Sequence, residues 1–274
     1  MSLSTLTPAS PIQAILVVVE DTRYWLTKNE LSKFSEVFHG MFEHAPHLGG
    51  SQEGTAQNPI VLHGIKRLEF EPLVRWIRFG VNPPTNRPYT CNELVAMLRI
   101  ADQWCMQDAK EFCFTGLSVL NPNPFFLLGL FTSYREFNRI LPHVKAAVRM
   151  PMNDWDFTES SIYIPLLKLK VRIDEVRRIH AAVPDGMFRQ QDCTNHITCE
   201  VSWRNDWRLT ITERVFHPTD PLPLSLCFSA MNALSTQPST CRQVALLDLR
   251  LNDDYMIEDD LYTEAVNSIT DGYY

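Results

Sequence analysis

Two asparagine–proline steps, at residues 121–124, interrupt the helical patterns on either side of them. Proline has no backbone N–H and clashes with the preceding turn, so a helix cannot run through this tetrapeptide. The 274 residues are enough for one large or two modest domains. We therefore place a domain boundary here. We expect a first domain over residues 12–120, a helical extension over residues 121–190 and a C-terminal helical region with Cys and Trp elements over residues 191–274.

The first block begins with a predicted β-hairpin. β-Branched residues fill the stretch from Ala14 to Val19, turn residues follow, and a second β-prone stretch runs from Arg23 to Thr27. Residues 60–62 form a brief third strand after an exposed loop. Helical patterns follow each of these strands, so we expect an α+β fold in which a small sheet meets a helical cluster. The region beyond is expected to be mainly α-helical.

Capping residues and a proline indicate where helices begin in the predicted first domain. Ser35 is placed to cap the second of two short helices, and Thr90 to Glu93 has the Thr-x-x-Glu form of a capping box. An interior proline costs about 3 kcal/mol. We therefore predict that the helix containing Pro72 is short and begins close to that residue.

The second block also carries helical periodicity. A helix pair is predicted over residues 126–137 and 142–150, followed by a longer helix that starts at Pro165 and ends before Pro184-Asp185-Gly186. Two further helices are expected around residues 224–234 and 258–269. The spacing of Trp203 and Trp207 places both rings on one helix face.

Charge and composition narrow the classes of partner. The formal net charge is −7, the pI is near 5.6, and no basic run is longer than Arg177-Arg178. Such a chain repels polyanions on average. We therefore expect neither nucleic acid nor a membrane as a partner.

The number of cysteines and the N-terminal residues indicate where in the cell the protein is located. Seven cysteines in a chain of this length favour reduced thiols over a disulfide framework. No lysine or arginine occurs through Ser10, and the apolar stretch of residues 12–19 runs into Glu20 and Asp21, unlike a signal peptide. The apolar run of residues 125–131 is too short to span a membrane. These features favour a location in the cytoplasm or the nucleus.

The order and spacing of four motifs between Ile15 and Leu117 resemble the BTB/POZ family. They are the hairpin ending at residues 24–28, the pattern Leu31-x-x-x-Ser35-x-x-Phe38, the strand at residues 60–62 followed by Phe70, Leu73 and Gly80, and the helix at residues 98–104. Each motif is common, but four in the correct order across about a hundred residues are hard to obtain by chance. Arg78 departs from the family, which usually has tyrosine there, and the loop before Ile60 is longer than in compact members.

The second half resembles the extension of fungal BTB proteins of the mushroom type. The residues that carry this likeness are Cys193, Cys199, Trp203, Trp207, His217 and Pro218. The resemblance implies a protein–protein interaction adaptor that acts through the BTB surface, and it allows recruitment of partners to a cullin-type ubiquitin ligase. A transcription-associated BTB regulator is the alternative. A cysteine- or histidine-based enzyme in the C-terminal half is a third hypothesis, which no catalytic motif supports.

Two clusters in the sequence contain residues that could bind a metal. Cys193-x-x-His196-x-x-Cys199, with Cys241 elsewhere in the sequence, has soft ligands that zinc could use, but it lacks the two tight pairs typical of structural zinc sites. We predict that Cys193 and Cys199 are small semi-buried thiols and that no zinc is bound. The acidic residues between Asp253 and Glu264 are interpreted as a solvated helix start, because acids favour helix N-termini. We therefore assign no catalytic, cofactor-binding or metal-binding residue and no cofactor.

Large apolar residues at helical spacing are predicted to be core. We expect Phe38 and Leu98 to be buried, along with four tryptophans. The tryptophans are Trp76, Trp104, Trp203 and Trp207.

The residues before the first strand bear on whether the protein forms a homodimer. BTB domains often dimerise through a helix and an exchanged strand that precede the first hairpin. Residues 1–13 are few and are interrupted by Pro8 and Pro11, so they are not expected to form a stable helix. We predict that the swapped homodimer does not form. A symmetric dimer through the helical extension is the opposing possibility.

Overall fold

The computed structural model describes residues 14–44, 53–80, 87–120, 123–155, 160–182, 193–217, 221–234, 240–251 and 256–273. The segment Met1–Gln13, Pro122, Pro184-Asp185-Gly186, Pro218 and the pair Asp253-Asp254, on which some predictions fall, lie outside these ranges. The fold is mixed α and β, mostly helical, with a small three-stranded sheet. The chain divides into two compact units, Met1–Pro122 and Asn123–Tyr274. The division of the second half at residue 190 stays a prediction.

The first unit contains the sheet and five helices among its described residues. In chain order the elements are β1 (Ala14–Val19), β2 (Thr22–Thr27), α1 (Lys28–Phe34), α2 (Glu36–His44), β3 (Ile60–Leu62), α3 (Arg67–Phe79), α4 (Cys91–Gln103) and α5 (Gln107–Val119). β1 lies in the centre, antiparallel to β2 and parallel to β3. Val17 is the partner of Tyr24 on one side and of Ile60 on the other. The predicted hairpin and third strand are confirmed.

β1 is apolar because both of its faces are covered. Ile15, Leu16 and Val17 are almost completely buried, although successive side chains point to opposite faces of a sheet. A strand buried on both sides needs a continuous apolar run, in contrast to the alternation of a half-exposed strand. The central position of β1 therefore follows from its β-branched sequence.

The predicted helix caps form. The backbone N–H of Phe38 donates to Ser35 Oγ at 3.2 Å, and the Ser35 hydroxyl donates to the carbonyl of Trp104 at 2.7 Å. At the start of α4, Glu93 N–H donates to Thr90 Oγ1 at 3.2 Å and Thr90 N–H donates to the Glu93 carboxylate at 2.9 Å. Ser35 thus starts α2 and also ties it to the end of α4.

The prediction of a short helix beginning near Pro72 is wrong. α3 spans 13 residues and begins at Arg67, so Pro72 lies inside it. A proline in the second turn removes one intrahelical hydrogen bond. Burial of the apolar face around Phe70, Leu73 and Trp76 offsets this loss.

Aromatic side chains fill the core of the first unit. Phe38, Leu98 and Trp104 are all buried, as predicted. The Trp104 ring meets Phe38 edge to face at 5.0 Å between centroids and Phe70 at 5.9 Å. This cluster joins α2, α3 and the end of α4.

Among its described residues, the second unit contains helices joined by turns and loops, and no strand. Its α-helices are α6 (Pro124–Ser133), α7 (Ile140–Arg149), α8 (Ser160–Ala181), α9 (His196–Trp207), α10 (Glu213–Val215), α11 (Cys227–Ala233), α12 (Thr240–Leu251) and α13 (Ile257–Asp271), with a π turn at Arg208–Thr212 joining α9 to α10. The helix pair α6 and α7 was predicted, and so were α11 and α13.

One prediction about this unit is wrong, and one helix was not predicted. α8 does not start at Pro165 but at Ser160, so the proline again lies in the second turn of a longer helix, where one backbone bond is lost. α12 was not predicted at all. Its apolar residues, such as Ala245 and Leu249, become a buried face through packing with other helices of the unit.

Trp203 and Trp207 belong to the core of the second unit, as predicted. Their rings lie 5.9 Å apart on α9, and both are buried. The surrounding cluster includes Ile211, Val215, Leu224, Met231, Leu246 and Leu249. It joins α9 to α11 and α12. Trp76 and Trp104 are buried in the first unit, so all four tryptophan predictions are confirmed.

Within the described ranges, every helix is too short or too polar to cross a lipid bilayer.

Candidate functional site

A groove of about 350 Å³ opens beside α3 in the first unit. We call it the α3 groove, and its lining includes Tyr24, Pro72, Val74, Arg78, Phe79 and Arg87. Tyr24 is fixed by edge-to-face packing on Phe70 at 5.0 Å. One wall therefore comes from the sheet and the other from the helix.

The floor of the groove holds a buried guanidinium group that is paired with a carboxylate. The Arg75 guanidinium lies 3.9 Å from the centre of the Tyr89 ring and 3.2 Å from the Glu93 carboxylate. Burial raises the pKa of Glu93, but hydrogen bonds from Thr90 and Arg75 together with the charge of Arg75 outweigh burial, so the pKa lies below its ordinary value. Arg75 and Glu93 thus compensate each other's charge inside the first unit.

The edge of the groove is exposed and has a different character. Phe79, at the C-terminal end of α3, is 52% exposed, and Arg87 is exposed nearby. Arg78 donates to the main-chain carbonyl of Trp25 at 3.4 Å. An exposed aromatic ring flanked by arginines is the composition enriched at protein–protein contacts.

Sequence reasoning did not single out Phe79 as exposed. Phe79 directly follows Arg78, the residue noted as a departure from the family pattern. Helix α3 turns its apolar face, with Phe70, Leu73 and Ile77, toward the core. Helical geometry then places position 79 near the opposite side, and this signal could have found it.

A second groove, of about 420 Å³, lies between α8 and α13 in the other unit. Its lining is mainly apolar, with Leu169 and Leu261 among its residues. At its edge Arg172 already pairs with Glu264 at 2.6 Å. The α3 groove is the better candidate for selective recognition, because Arg78 there bonds a main-chain carbonyl and forms no ion pair within the described part of the chain.

The cysteines considered as zinc ligands come together in the second unit. The sulfur atoms of Cys193, Cys199 and Cys241 all lie within 4.8 Å of one another, and we call these three residues the thiol cluster. The Sγ atoms of Cys193 and Cys199 are 3.6 Å apart. His196 Nδ1 lies 3.6 Å from the sulfur of Cys241. The sequence offered Cys241 only as a distant fourth candidate, and the fold places it at the centre.

Two helices position the thiol cluster. His196 is the first residue of α9, Cys199 lies in its first turn, and Cys241 is the second residue of α12. Cys241 is buried, whereas Cys193, His196 and Cys199 are half-buried. The unpaired N–H groups at helix N-termini stabilise negative charge on nearby groups. The cluster therefore lies beside the N-terminal ends of two helices.

The pKa of Cys193 reflects opposing local contacts. A hydrogen bond from the backbone of Asn195 lowers the pKa. The hydrogen bond with the Cys241 thiol, burial and the neighbouring Cys199 raise it, and the net result lies above the ordinary value for cysteine. Three adjacent sulfurs disfavour the build-up of negative charge in the absence of a cation.

Cys113 and Cys227 are buried, whereas His217 is exposed. Burial raises the pKa of the Cys113 thiol far above its ordinary value and raises that of Cys227 to about 12, so both favour the less reactive protonated form. His217 is exposed, and its backbone N–H donates to the carbonyl of Arg214 in a helix-ending turn.

The acidic residues of α13 are not all solvated, which corrects the sequence interpretation. The predicted helix start is present, with Glu258 and Asp259 in the first turn of α13. Asp259 is partly exposed and pairs with Lys145 at 2.9 Å. Glu258, however, is buried and pairs with Arg177. Its partner on α8 makes the burial of this charge possible.

Comparison of the sequence with models of known protein families gives no match. Comparison with curated proteins gives no significant match either.

Proposed function

We propose that this chain is a protein-interaction adaptor built on a BTB/POZ-type domain, with the α3 groove as the surface that binds a partner. The observation that carries the proposal is the exposed Phe79 ring at the edge of a preformed groove. Aromatic side chains are enriched at the centres of protein–protein interfaces, where they fill preformed pockets.

The element order supports the family part of the proposal. A hairpin, two short helices, a third strand and three helices follow one another across the first unit. This is the order in which the four BTB-like motifs occur in the sequence. The serine of the Leu-x-x-x-Ser-x-x-Phe motif also has a structural task here, because Ser35 caps α2 and bonds the carbonyl of Trp104.

The charges at the groove indicate the chemistry of the partner. Arg78 and Arg87 lie at its edge. Glu93 pairs with Arg75 at 3.2 Å and with Arg87 at 3.4 Å, whereas Arg78 bonds the main-chain carbonyl of Trp25. We propose a partner segment that places an apolar side chain against Phe79 and a carboxylate near Arg78. Guanidinium groups bind carboxylates with two parallel hydrogen bonds, which favours an acidic segment over a basic one.

The BTB resemblance also suggests a cullin-type ubiquitin ligase as the assembly to which the adaptor brings its partners. The transcription-associated alternative has less support, since the chain is acidic and no DNA-binding motif was found in its sequence.

Affinity purification from native cells, with mass spectrometry, tests the proposal when matched variants are compared. We expect Phe79→Ala and Arg78→Ala to lose the partners that the wild type captures, since truncating an interface anchor weakens binding about tenfold or more. Val119→Ala is the control, because Val119 is 78% exposed on α5 of the same unit. Loss of the same partners in the control, or their retention by both groove variants, would exclude the α3 groove.

A direct titration separates the cullin hypothesis from other adaptor functions. The full chain is mixed with the purified N-terminal region of a cullin and binding is measured by calorimetry. Heat of binding that is lost in Phe79→Ala supports the ubiquitin-ligase assembly. Absence of binding at concentrations up to about 100 μM would limit the affinity to values weaker than about −5.5 kcal/mol and reject that assembly.

A further inference from the structure

We propose that the thiol cluster, completed by His196, is a structural zinc site in the second unit. The site would hold one divalent zinc ion through three thiolates and one imidazole nitrogen. This inference is independent of the proposed adaptor function, because it concerns different residues in the other unit.

The distances fit a tetrahedral metal site better than a disulfide. The sulfurs of Cys193 and Cys199 lie 3.6 Å apart, far beyond the roughly 2.05 Å of a disulfide bond. Zinc–sulfur bonds of about 2.3 Å at tetrahedral angles place two sulfurs about 3.8 Å apart. The same geometry places a sulfur about 3.6 Å from a coordinating nitrogen. The distance from Cys241 Sγ to His196 Nδ1 is 3.6 Å. The set whose ligand atoms all lie within 4.8 Å of one another contains the three sulfurs only, so the His196 ring would complete the site by turning toward Cys193 and Cys199.

The chain reaches this arrangement from two separate places. Cys193, His196 and Cys199 come from one short segment, whereas Cys241 lies 45 residues beyond His196 on another helix. Isolated buried cysteines are common, but three sulfurs converging within 4.8 Å form a ligand set. The prediction of no zinc was based on the lack of two tight cysteine pairs in the sequence. That criterion describes spacing along the chain. The ligand geometry depends on spacing in the fold.

The ligand chemistry selects the metal. Thiolate and imidazole are the usual ligands of structural zinc, and a mixed sulfur–nitrogen tetrahedron suits zinc over magnesium or calcium, which prefer oxygen.

The position of the site gives it a structural purpose. The ion would join the first turn of α9 to the first turn of α12 at the end of the cluster around Trp203 and Trp207. Metal binding at residues that are far apart in sequence contributes directly to folding free energy, since an unfolded chain does not hold the ligands together. We infer that zinc fixes the pairing of these two helices.

Metal content of the full chain is the first test. The protein is purified under reducing conditions without chelator, and its affinity tag is removed before elemental analysis. We expect about one equivalent of zinc per chain, and a large loss in Cys193→Ser, Cys199→Ser and Cys241→Ser. Cys105→Ser is the control, since Cys105 is exposed in the first unit and is expected to leave the zinc content unchanged.

Cobalt substitution of the wild-type chain tests the same ligand set without a mutation. Zinc is removed with a chelator and replaced by cobalt. We expect the visible bands of tetrahedral cobalt and a near-ultraviolet charge-transfer band of the strength of three thiolates. In His196→Ala the visible bands should shift and the affinity should fall about tenfold or more, as for the loss of groups that support a metal site. An unchanged spectrum and affinity would exclude His196 as the fourth ligand.

A melting experiment keeps the proposal testable if a cysteine variant fails to fold. Chelator treatment of the wild type should lower its melting temperature by several degrees, and added zinc should restore it, because a ligand that binds only the native state stabilises that state. The proposal is overturned if the reduced wild type holds well under one equivalent of zinc and gives no cobalt–thiolate absorption. It is equally overturned if a Cys193–Cys199 disulfide forms in protein kept under reducing conditions.

Discussion

Arg177 of α8 donates a hydrogen bond to the Glu258 carboxylate of α13, and both side chains are less than a tenth exposed. The second carboxylate oxygen of Glu258 accepts the backbone N–H of Leu224 at 3.1 Å. A buried ion pair contributes little net stability compared with an apolar pair, because both charges must be desolvated. Removing one partner is costly, since the other charge is left buried without compensation.

The first prediction concerns this pair. Glu258→Gln should lower the free energy of unfolding by about 3–5 kcal/mol, because it leaves the Arg177 charge buried and uncompensated. Glu264→Gln is the matched control, since Arg172 and Glu264 join the same two helices but are more than half exposed. The control should cost at most about 1 kcal/mol. Chemical denaturation of both variants measures the difference, and equal losses would contradict the assignment.

The second prediction concerns the aromatic core of the first unit. Trp104→Ala should lower the free energy of unfolding by about 3–5 kcal/mol, since it empties the space between Phe38 and Phe70. Trp25→Ala provides the comparison, because Trp25 is 53% exposed. Thermal melting of both variants gives the result. A Trp104→Ala chain that melts like the wild type would show that this tryptophan does not support the core.

The third prediction concerns a glycine that contacts β1. Gly54 has a φ of +86°, and its carbonyl accepts the N–H of Leu16 at 2.7 Å. A Cβ atom there would lie 3.0 Å from the buried side chain of Ile15. Gly54→Ala should therefore cost about 1–3 kcal/mol through backbone strain and overpacking.

Gly40→Ala is the control for Gly54. Gly40 lies within α2, and a Cβ atom there would meet nothing within 4 Å. Alanine is the better helix former, so this variant should gain about 0.5–1 kcal/mol. Denaturant titration should show changes of opposite sign at the two positions, and a loss at both would mean that local strain is not the cause.

The fourth prediction concerns acid stability. The pKa of Glu93 is lowered in the fold, so its contribution to stability is fully present above its unfolded pKa of about 4.5 and is lost as the pH falls through the lower folded value. Glu93→Gln should therefore reduce stability at neutral pH and make the decline below about pH 4.5 shallower. Thr90→Val removes one of the hydrogen bonds to Glu93. The slope of its stability against pH should therefore lie between the slopes of the wild type and of Glu93→Gln. Melting curves from pH 3 to pH 7 measure these slopes, and parallel curves would refute the coupling.

Local signals in the sequence predicted much of the first unit. Thr90 and Ser35 are capping residues whose side chains bond their own helix within three residues. Such contacts depend on nearby atoms only, so they can be recognised without knowing the fold. The apolar run of β1 and the helical spacing around Trp104 similarly predicted burial.

Pro72 and Pro165 show where local rules gave the wrong answer. Each was expected to begin its helix, and each lies in the second turn of a longer one. A local rule counts the lost hydrogen bond and the steric conflict with the preceding turn. It does not include the stabilisation that the longer helices gain when their apolar faces are buried against the rest of their unit.

The sequence by itself determined the strands of the small sheet, the helix caps and the burial of residues such as Phe38, Trp104, Trp203 and Trp207, because these follow from neighbouring residues and from periodicity. Only the tertiary structure decided that Glu258 is buried against Arg177 and that Cys241 lies beside Cys193 and Cys199. These relationships join residues from separate helices. Their distances follow from how the helices pack, and packing is a sum over many contacts that no short stretch of sequence contains.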